Sequence, residues 1–194
     1  MAVAADMSVE TDVVRLFQEC DHTLGPLSAL VNSAGIVETQ MRVDEMGGGR
    51  LQRVFATNVF GPFWCSREAV RRMSTRHGGQ GGAIVNVSSL ASVYGSPNEY
   101  VDYAATKGAI DTLTTGLARE VATEGIRVNV VRAGHIYTEF HALGGEPGRV
   151  DRVNADVPMK RGGQPNEVAQ AIVWLLSEEA SYVTGTRLDV AGGR

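Results

Sequence analysis

The residues best suited to acid–base chemistry in this chain are Tyr103 and Lys107, in the segment YAATK. The chain has only two lysines, and this one follows the tyrosine by four positions, which places both side chains on one face of a helix. A free phenol has a pKa of about 10 and is a poor base at neutral pH. A nearby ammonium group stabilises phenolate and lowers that pKa, so the pair could exchange a proton with a substrate hydroxyl.

Small and hydroxyl-bearing residues follow three of the predicted strands. Ser88 and Ser89 come directly after AIVNV, residues 32–35 follow LSALV, and residues 132–138 follow IRVNVV. In open α/β sheets, ligands bind at the carboxyl ends of the strands, and small side chains there let a flat ring approach closely. The sequence therefore predicts one crevice, formed by three strand ends and the helix that carries Tyr103.

Short β-rich runs alternate with helical stretches, a pattern typical of a parallel sheet covered by helices on both faces. A helix is expected after Ser8 as N-cap, and another is expected to begin at Pro165. The glycine–proline pair Gly61–Pro62 should kink the helix expected over residues 51–75. With no repeat and no linker, residues 1–194 are interpreted as one domain. The expected strands are residues 2–5, 27–31, 83–87, 126–131 and 186–190, and a further helix is expected over residues 101–123.

The composition favours a soluble globular protein that does not bind nucleic acid. Hydrophobic residues make up 43% of the chain and charged residues 21%, and the formal net charge of −4 gives no basic surface for nucleic acid. No apolar run approaches the roughly 18 residues that cross a membrane, and residues 1–6 do not resemble a signal peptide. Cys20 and Cys65 lack a metal-binding spacing, so two free thiols, no metal and a cytoplasmic location are expected.

Together, these motifs resemble the classical short-chain dehydrogenase/reductase family over essentially the whole chain. VNSAG is similar to the family's Asn-Asn-Ala-Gly motif, TNVFG to the segment with its catalytic asparagine, and IVNVSS to its catalytic-serine strand. YAATK is similar to its Tyr-x-x-x-Lys element, and YVTGTRLDVAGG to its last strand, which favours the classical branch over the extended epimerase relatives. The resemblance implies a Rossmann-like, doubly wound parallel sheet in three layers. It also implies hydride transfer between a nicotinamide cofactor, NAD or NADP, and an alcohol/carbonyl substrate.

The resemblance further implies roles for individual residues. Tyr103 would be the acid/base, and Lys107 would lower its pKa and bind the nicotinamide ribose. Ser89 would hydrogen-bond the substrate oxygen, and Asn58 would hold the helix kink and a water of the proton relay. The implied cofactor-binding residues are Asp6, Met7, Asn32, Ala34, Gly35, Tyr103, Lys107, Ala133, Gly134, Ile136 and Thr138.

Some positions leave alternatives open or depart from the family pattern. Ser88 is an alternative to Ser89, and Tyr100 is an alternative phenol, although alanine stands where its lysine partner would be. Ala133 replaces the proline of the family's Pro-Gly turn, which should loosen that turn. Residues 140–163 are expected to form an irregular lid segment over the substrate.

The family's glycine-rich phosphate loop has no counterpart in these residues. Residues 2–6 align with the family's third strand, so the first two strands are expected to be absent and the third to lack neighbours. The glycines at 78–82 precede a strand rather than open a helix, so they do not predict a phosphate site. Weak cofactor binding and little activity are therefore expected for the 194-residue chain. The alternative is a catalytically inactive truncated member that acts only through oligomeric association.

Association is a further expectation from the resemblance. The family commonly forms homodimers and homotetramers through the helices that correspond here to residues 51–75 and 101–123. The C-terminal helix and the last strand commonly form the other interface. The apolar side chains available at the first interface are Val59, Phe60, Phe63, Trp64, Ile110, Leu113 and Leu117.

Overall fold

A single four-stranded parallel sheet forms the centre of the computed structural model, which describes residues 1–194. The strands are β1 (Ala29–Asn32), β2 (Gly82–Ser89), β3 (Ile126–Ala133) and β4 (Arg187–Val190), and they lie in the order β1-β2-β3-β4. The register pairs Asn32 with Asn86, Ser89 with Ala133, and Ala133 with Val190. The strand ends that carry the predicted site residues therefore meet at one edge of the sheet.

Helices cover both faces of this sheet, which makes the molecule a three-layered, doubly wound α/β protein. Neighbouring residues on β2 point to opposite faces, because side chains alternate along a strand. Ile84 packs with α1 (Glu10–Leu24), α3 (Gly61–Met73) and α5 (Val101–Val121) in one core, whereas Val85 packs with Val168 and Leu175 of α8 (Pro165–Leu176) in the other. The predicted fold class is confirmed. The helices are α1 (Glu10–Leu24), α2 (Gly48–Phe55), α3 (Gly61–Met73), α4 (Ala91–Tyr94), α5 (Val101–Val121), α6 (Phe140–Leu143), α7 (Arg149–Val153) and α8 (Pro165–Leu176).

A π-helical turn, Ala56–Phe60, joins α2 to α3, so these three elements form one long helix with an internal irregularity. The backbone N–H of Gly61 donates to the carbonyl of Ala56, five residues earlier, which is the π-helical hydrogen bond. The kink predicted at Gly61–Pro62 stays a prediction; the structure has a π turn directly before this pair. Asn58 lies within that turn.

Three predictions about local structure are wrong. Residues 2–5 form no strand: the sheet ends at β1, and this segment pairs with no strand that would satisfy its backbone groups. Ser8 does not cap α1: the helix begins at Glu10 after Val9, and both the N–H and the hydroxyl of Ser8 donate to the carboxylate of Asp6. The lid segment is not irregular throughout, since it contains α6 and α7.

Candidate active site

A cavity of about 550 Å3 opens at the carboxyl ends of β2 and β3. Ser89, Tyr103 and Lys107 lie in its wall, as the crevice prediction required. Gly35, from the loop after β1, also contributes to the wall. Segment 133–138 completes one side with four of the predicted cofactor-binding residues, Ala133, Gly134, Ile136 and Thr138.

The Tyr103–Lys107 pair lies on α5, one helical turn apart and facing the cavity. The Nζ atom of Lys107 lies 5.5 Å from the centroid of the Tyr103 ring and donates a hydrogen bond to the carbonyl of Val87 at 2.8 Å. Burial disfavours the ammonium and lowers the pKa of Lys107 to about 8, while the carboxylate of Asp111 raises it. Lys107 is only 5% exposed, which explains the size of this effect.

The phenol of Tyr103 departs from the expectation that its pKa would be lowered. Burial disfavours the phenolate and raises the pKa of Tyr103 to about 12, and the adjacent Ser89 hydroxyl only partly opposes this. The ammonium of Lys107 lies over the ring and is itself poorly solvated, so desolvation dominates. At neutral pH the protein therefore holds Tyr103 as a neutral phenol, the form that donates a proton.

The two serines at the end of β2 have different environments. Ser88 is 2% exposed, and its hydroxyl donates to the backbone carbonyl of Lys107 at 3.2 Å. Ser89 is half-buried beside Tyr103, and its Oγ accepts a hydrogen bond from the N–H of Ala91 at 3.1 Å. The hydroxyl of Ser89 can therefore still donate a hydrogen bond to a ligand, whereas the hydroxyl of Ser88 already donates to the carbonyl of Lys107.

Asn58 lies behind the cavity rather than in its wall. It is 1% exposed, and its Oδ1 accepts from the N–H of Ile36 at 2.7 Å. Its Nδ2 donates to the carbonyl of Ile36 at 2.8 Å and to Oγ1 of Thr106 at 3.2 Å. The side chain that the π turn presents thus ties the loop after β1 to α5.

Two glycines keep the cavity open where the main chain passes close to other groups. A Cβ on Gly35 would lie 3.4 Å from Oδ1 of Asn58 and 3.6 Å from Nζ of Lys107. A Cβ on Gly134 would lie 2.8 Å from Ala191, closer than packing allows. The Gly134 position therefore requires glycine for steric reasons, whereas the distances at Gly35 are ordinary van der Waals contacts.

Four other predicted cofactor residues are not brought into this cavity. The amide of Asn32 donates to Oδ1 of Asn86 at 2.8 Å and to Oγ of Ser66 at 3.3 Å, so its hydrogen bonds are made to buried side chains rather than in this cavity. Met7 and Ala34, with Asn32, line a separate cavity of about 330 Å3 between α1, β1 and α3. Asp6 is exposed and lines neither cavity.

The contacts that the cover segment makes in the cavity were not predicted individually, although residues 140–163 were expected to cover the substrate and Tyr100 was an alternative phenol. The ring of Phe140 lies 5.6 Å from that of Tyr103, centroid to centroid. The hydroxyl of Tyr100 donates to the carbonyl of Gly144 at 3.0 Å, and the guanidinium of Arg149 lies 5.1 Å from the Tyr100 ring. These residues belong to no repeating pattern or motif, so only the folded chain shows them together.

Other features of the molecule concern metals, thiols and membranes. No cluster of three or more His, Cys, Asp or Glu side chains is arranged to hold a metal ion. Cys20 and Cys65 are unpaired, and burial raises the pKa of the Cys65 thiol to about 11. None of the helices combines the length and apolar character that crossing a bilayer demands.

Comparisons with known proteins agree with this geometry. A family profile described as enoyl-(acyl carrier protein) reductase matches residues 1–194. The chain is 65% identical over 190 residues to the uncharacterized oxidoreductase YgfF of Escherichia coli, covering 98% of this chain and 77% of that protein. It is 35% identical over 193 residues to the glucose and ribitol dehydrogenase of Daucus carota, covering 100% of this chain but only 64% of that protein.

A solved structure is similar in fold as well as in sequence. The crystal structure of 3-ketoacyl-(acyl-carrier-protein) reductase from Brucella melitensis, complexed with NADH, superposes with a TM-score of 0.92 at 32% identity. The match covers 100% of this chain and 78% of that one. The profile, the relatives and the fold all identify one family: the chain belongs to the short-chain dehydrogenases/reductases.

Proposed function

We propose that this protein is an oxidoreductase that transfers a hydride between NAD or NADP and an alcohol/carbonyl substrate, with Tyr103 as the acid/base. The convergence of Tyr103, Ser89 and Lys107 on one cavity at the carboxyl edge of the sheet carries this proposal. The relatives named as oxidoreductases support it, and so does the neighbouring structure that holds NADH. The competing idea, an inactive member that acts only through association, has no observation in its favour.

The proposed mechanism follows from the state of each side chain. A bound nicotinamide would supply or accept the hydride. As negative charge develops on a carbonyl oxygen, the neutral phenol of Tyr103 donates its proton to that oxygen, and the hydroxyl of Ser89 hydrogen-bonds to it. Lys107 would bind the nicotinamide ribose with its ammonium group, and Asn58 would hold α5 and the loop after β1 in register.

The residues that line the 550 Å3 cavity fit the nicotinamide half of the cofactor. Gly35 and Gly134 leave room for a flat ring. We propose that Lys107, Ala133, Ile136 and Thr138 complete this half of the site. The remaining proposed contacts, Asp6, Met7, Asn32 and Ala34, lie outside this cavity: Met7, Asn32 and Ala34 line the 330 Å3 cavity, and Asp6 lines neither.

The segment 140–163 is proposed as a cover for the substrate. It contributes Phe140, His141, Gly144 and Arg149 to the cavity, so it borders the space next to Tyr103. Because both hydrophobic cores pack on the same sheet, we also propose that residues 1–194 form one domain.

Titration with NADH and NADPH, followed by a turnover assay, tests the cofactor part of the proposal. No strand in residues 1–194 runs through a glycine-rich turn into a helix, so no helix N-terminus is presented to a pyrophosphate. Charge-assisted hydrogen bonds of that kind contribute about 1.5–3 kcal/mol each, roughly tenfold or more in affinity. We expect the 194-residue chain to bind either cofactor with a Kd in the millimolar range or weaker, and to reduce a carbonyl compound when the cofactor is supplied near that concentration.

Calorimetry gives the affinity, and the absorbance of reduced nicotinamide gives turnover with a panel of aldehydes and ketones. A micromolar Kd would show that other residues of the chain hold the pyrophosphate, contrary to this prediction. Binding without oxidation of NADH or NADPH by any carbonyl in the panel would argue against the oxidoreductase proposal itself.

We further propose that copies of the chain associate through α2–α3 and α5. Phe60 and Phe63 are 50% and 48% exposed, which is unusual for large apolar side chains on one helix. Val59 and Ile110, also considered for this interface, are 7% and 2% exposed and serve the core instead. The proposed assembly is a homodimer or homotetramer.

Light scattering at micromolar concentration should show a dimer or a tetramer. The double change Phe60→Ser and Phe63→Ser should shift the protein toward monomer, because it removes the apolar contact area. Leu24→Ser is the control, since Leu24 is 69% exposed at the end of α1, which belongs to neither of the interfaces considered. A compact monomer for the unchanged protein would remove the association proposal.

A further inference from the structure

A buried ion pair next to the candidate catalytic residues has no part in the proposed reaction. Arg50 on α2 and Asp102 on α5 have side chains that are 6% and 1% exposed. The Nε atom of Arg50 donates to Oδ2 of Asp102 at 2.7 Å, and its Nη2 donates to Oδ1 at 3.2 Å. Burying two charges is costly, and apolar residues of similar size often stabilise a fold as well. The pair therefore calls for an explanation other than stability.

Asp102 directly precedes Tyr103 in the first turn of α5, where backbone N–H groups lack partners within the helix. Its Oδ1 accepts a hydrogen bond from the backbone N–H of Tyr103 at 2.9 Å, in addition to the one from Arg50. The carboxylate thus connects Arg50 to the main chain of the acid/base residue. The third donor of Arg50, Nη1, binds the carbonyl of Thr39 at 2.6 Å, in the loop after β1.

The carbonyl side of Tyr103 is held by a second chain of hydrogen bonds. Oγ1 of Thr106 donates to the carbonyl of Tyr103 at 2.7 Å and accepts from Nδ2 of Asn58 at 3.2 Å. Arg50 and Asn58 lie on the same long helix, α2 with its π turn. Both side chains also bind the loop after β1, at Thr39 and at Ile36. The main chain of Tyr103 is therefore bracketed by two side chains of one helix.

We propose that Arg50, acting through Asp102, is a positioning residue that fixes the main chain of Tyr103 and the loop after β1 for proton transfer. The inference rests on the proposed role of Tyr103 as acid/base. Proton transfer needs hydrogen-bond geometry, and a displacement of about 1 Å can cost on the order of 100-fold in rate. An ion pair with two parallel hydrogen bonds is directional, whereas an apolar contact lets the helices slide.

The test separates positioning from stability by replacing the whole pair. The double variant Arg50→Met with Asp102→Leu keeps the volume and removes both charges, so it should fold. We expect kcat to fall at least tenfold while the Kd for NADH stays within about twofold. The matched control is Arg53→Met with Glu38→Leu, which removes an ion pair of similar geometry, 2.9 and 3.1 Å, between α2 and the same loop. That pair is more exposed and does not contact α5, so the control should keep its kcat.

A second readout does not depend on turnover. In protein labelled with 13C at the tyrosine Cζ, the resonance assigned by its loss in Tyr103→Phe reports the phenol. Water should reach a displaced Tyr103, so in the double variant its phenol should ionise at lower pH than in the unchanged protein. The Tyr182 resonance, from a fully exposed ring, should not change.

The outcomes are distinct. A folded double variant with unchanged kcat and an unchanged Tyr103 resonance would overturn the proposal and leave the pair a purely structural element. If the double variant does not fold, Arg50→Lys replaces it: an ammonium lacks the planar fork that pairs with both oxygens of Asp102 while Nη1 donates to Thr39, so kcat should still fall, and a normal kcat would overturn the proposal. If the unchanged protein reduces no carbonyl, the proposed function fails, and the Tyr103 resonance alone decides the positioning role.

Discussion

Replacing Tyr103 with phenylalanine is expected to reduce hydride transfer by roughly 100- to 10,000-fold, the range that general acid–base catalysis contributes. The hydroxyl lies beside Ser89 in the cavity, and burial keeps its pKa near 12, so it is fully protonated at neutral pH. Phenylalanine keeps the ring contact with Phe140, 5.6 Å between centroids, so stability should change by less than about 1 kcal/mol. Turnover is measured at millimolar NADH or NADPH, and stability by urea unfolding.

The matched control for this prediction is Tyr100→Phe. Its hydroxyl donates to the carbonyl of Gly144, and position 104 holds alanine where a lysine partner would stand. Turnover should therefore remain within a few-fold of the parent protein. Near-normal turnover in Tyr103→Phe, or a complete loss in Tyr100→Phe alone, would assign the proton transfer to another residue.

Replacing Lys107 with methionine is expected to have opposite effects on activity and on stability. Turnover and cofactor binding should both fall, because the ammonium is proposed to bind the nicotinamide ribose. The free energy of unfolding at pH 7 should rise by about 1–3 kcal/mol. Burial lowers the pKa of Lys107 from 10.5 to about 8, and each pH unit corresponds to roughly 1.4 kcal/mol. The lost hydrogen bond from Nζ to the carbonyl of Val87 offsets about 1 kcal/mol of that gain.

The difference in the free energy of unfolding between Lys107→Met and the parent protein should depend on pH. Below pH 8 both the folded and the unfolded chain carry the ammonium, so the full cost of burying it is present. Between pH 8 and 10.5 the unfolded chain binds more protons, so the stability of the parent protein rises with pH and the advantage of Lys107→Met disappears. Urea unfolding at pH 7 and near pH 10 measures both limits.

Lys160→Met is the control, since Lys160 is the other lysine and is exposed. It should change neither the free energy of unfolding nor its pH dependence by more than a few tenths of a kcal/mol, as is usual for surface substitutions. A Lys107→Met variant less stable than the parent at pH 7 would mean that the folded protein stabilises this ammonium rather than destabilising it.

Local patterns were sufficient to predict much of the fold. The long helix α5 and the strands β2 and β3 were predicted within a few residues; the two strands are apolar runs that follow a glycine. Residues 2–5, an alanine-rich segment with one valine, were predicted as a strand, yet they form none. A strand needs a neighbour to pair with, and the sheet ends at β1 without pairing to this segment, which is a property of the whole sheet rather than of the segment.

The amino-acid sequence by itself determined that Tyr103 and Lys107 share a helix face, because helical geometry fixes the direction of residues four apart. It also determined that Ser89 stands at a strand end. Only the tertiary structure decided that the Ser88 hydroxyl donates a hydrogen bond to the carbonyl of Lys107 and that the Asn32 amide donates one to Asn86. It also decided that the phenol of Tyr103 stays protonated at neutral pH. Hydrogen-bond partners and desolvation come from residues distant in the chain, so they arise only when the layers pack together.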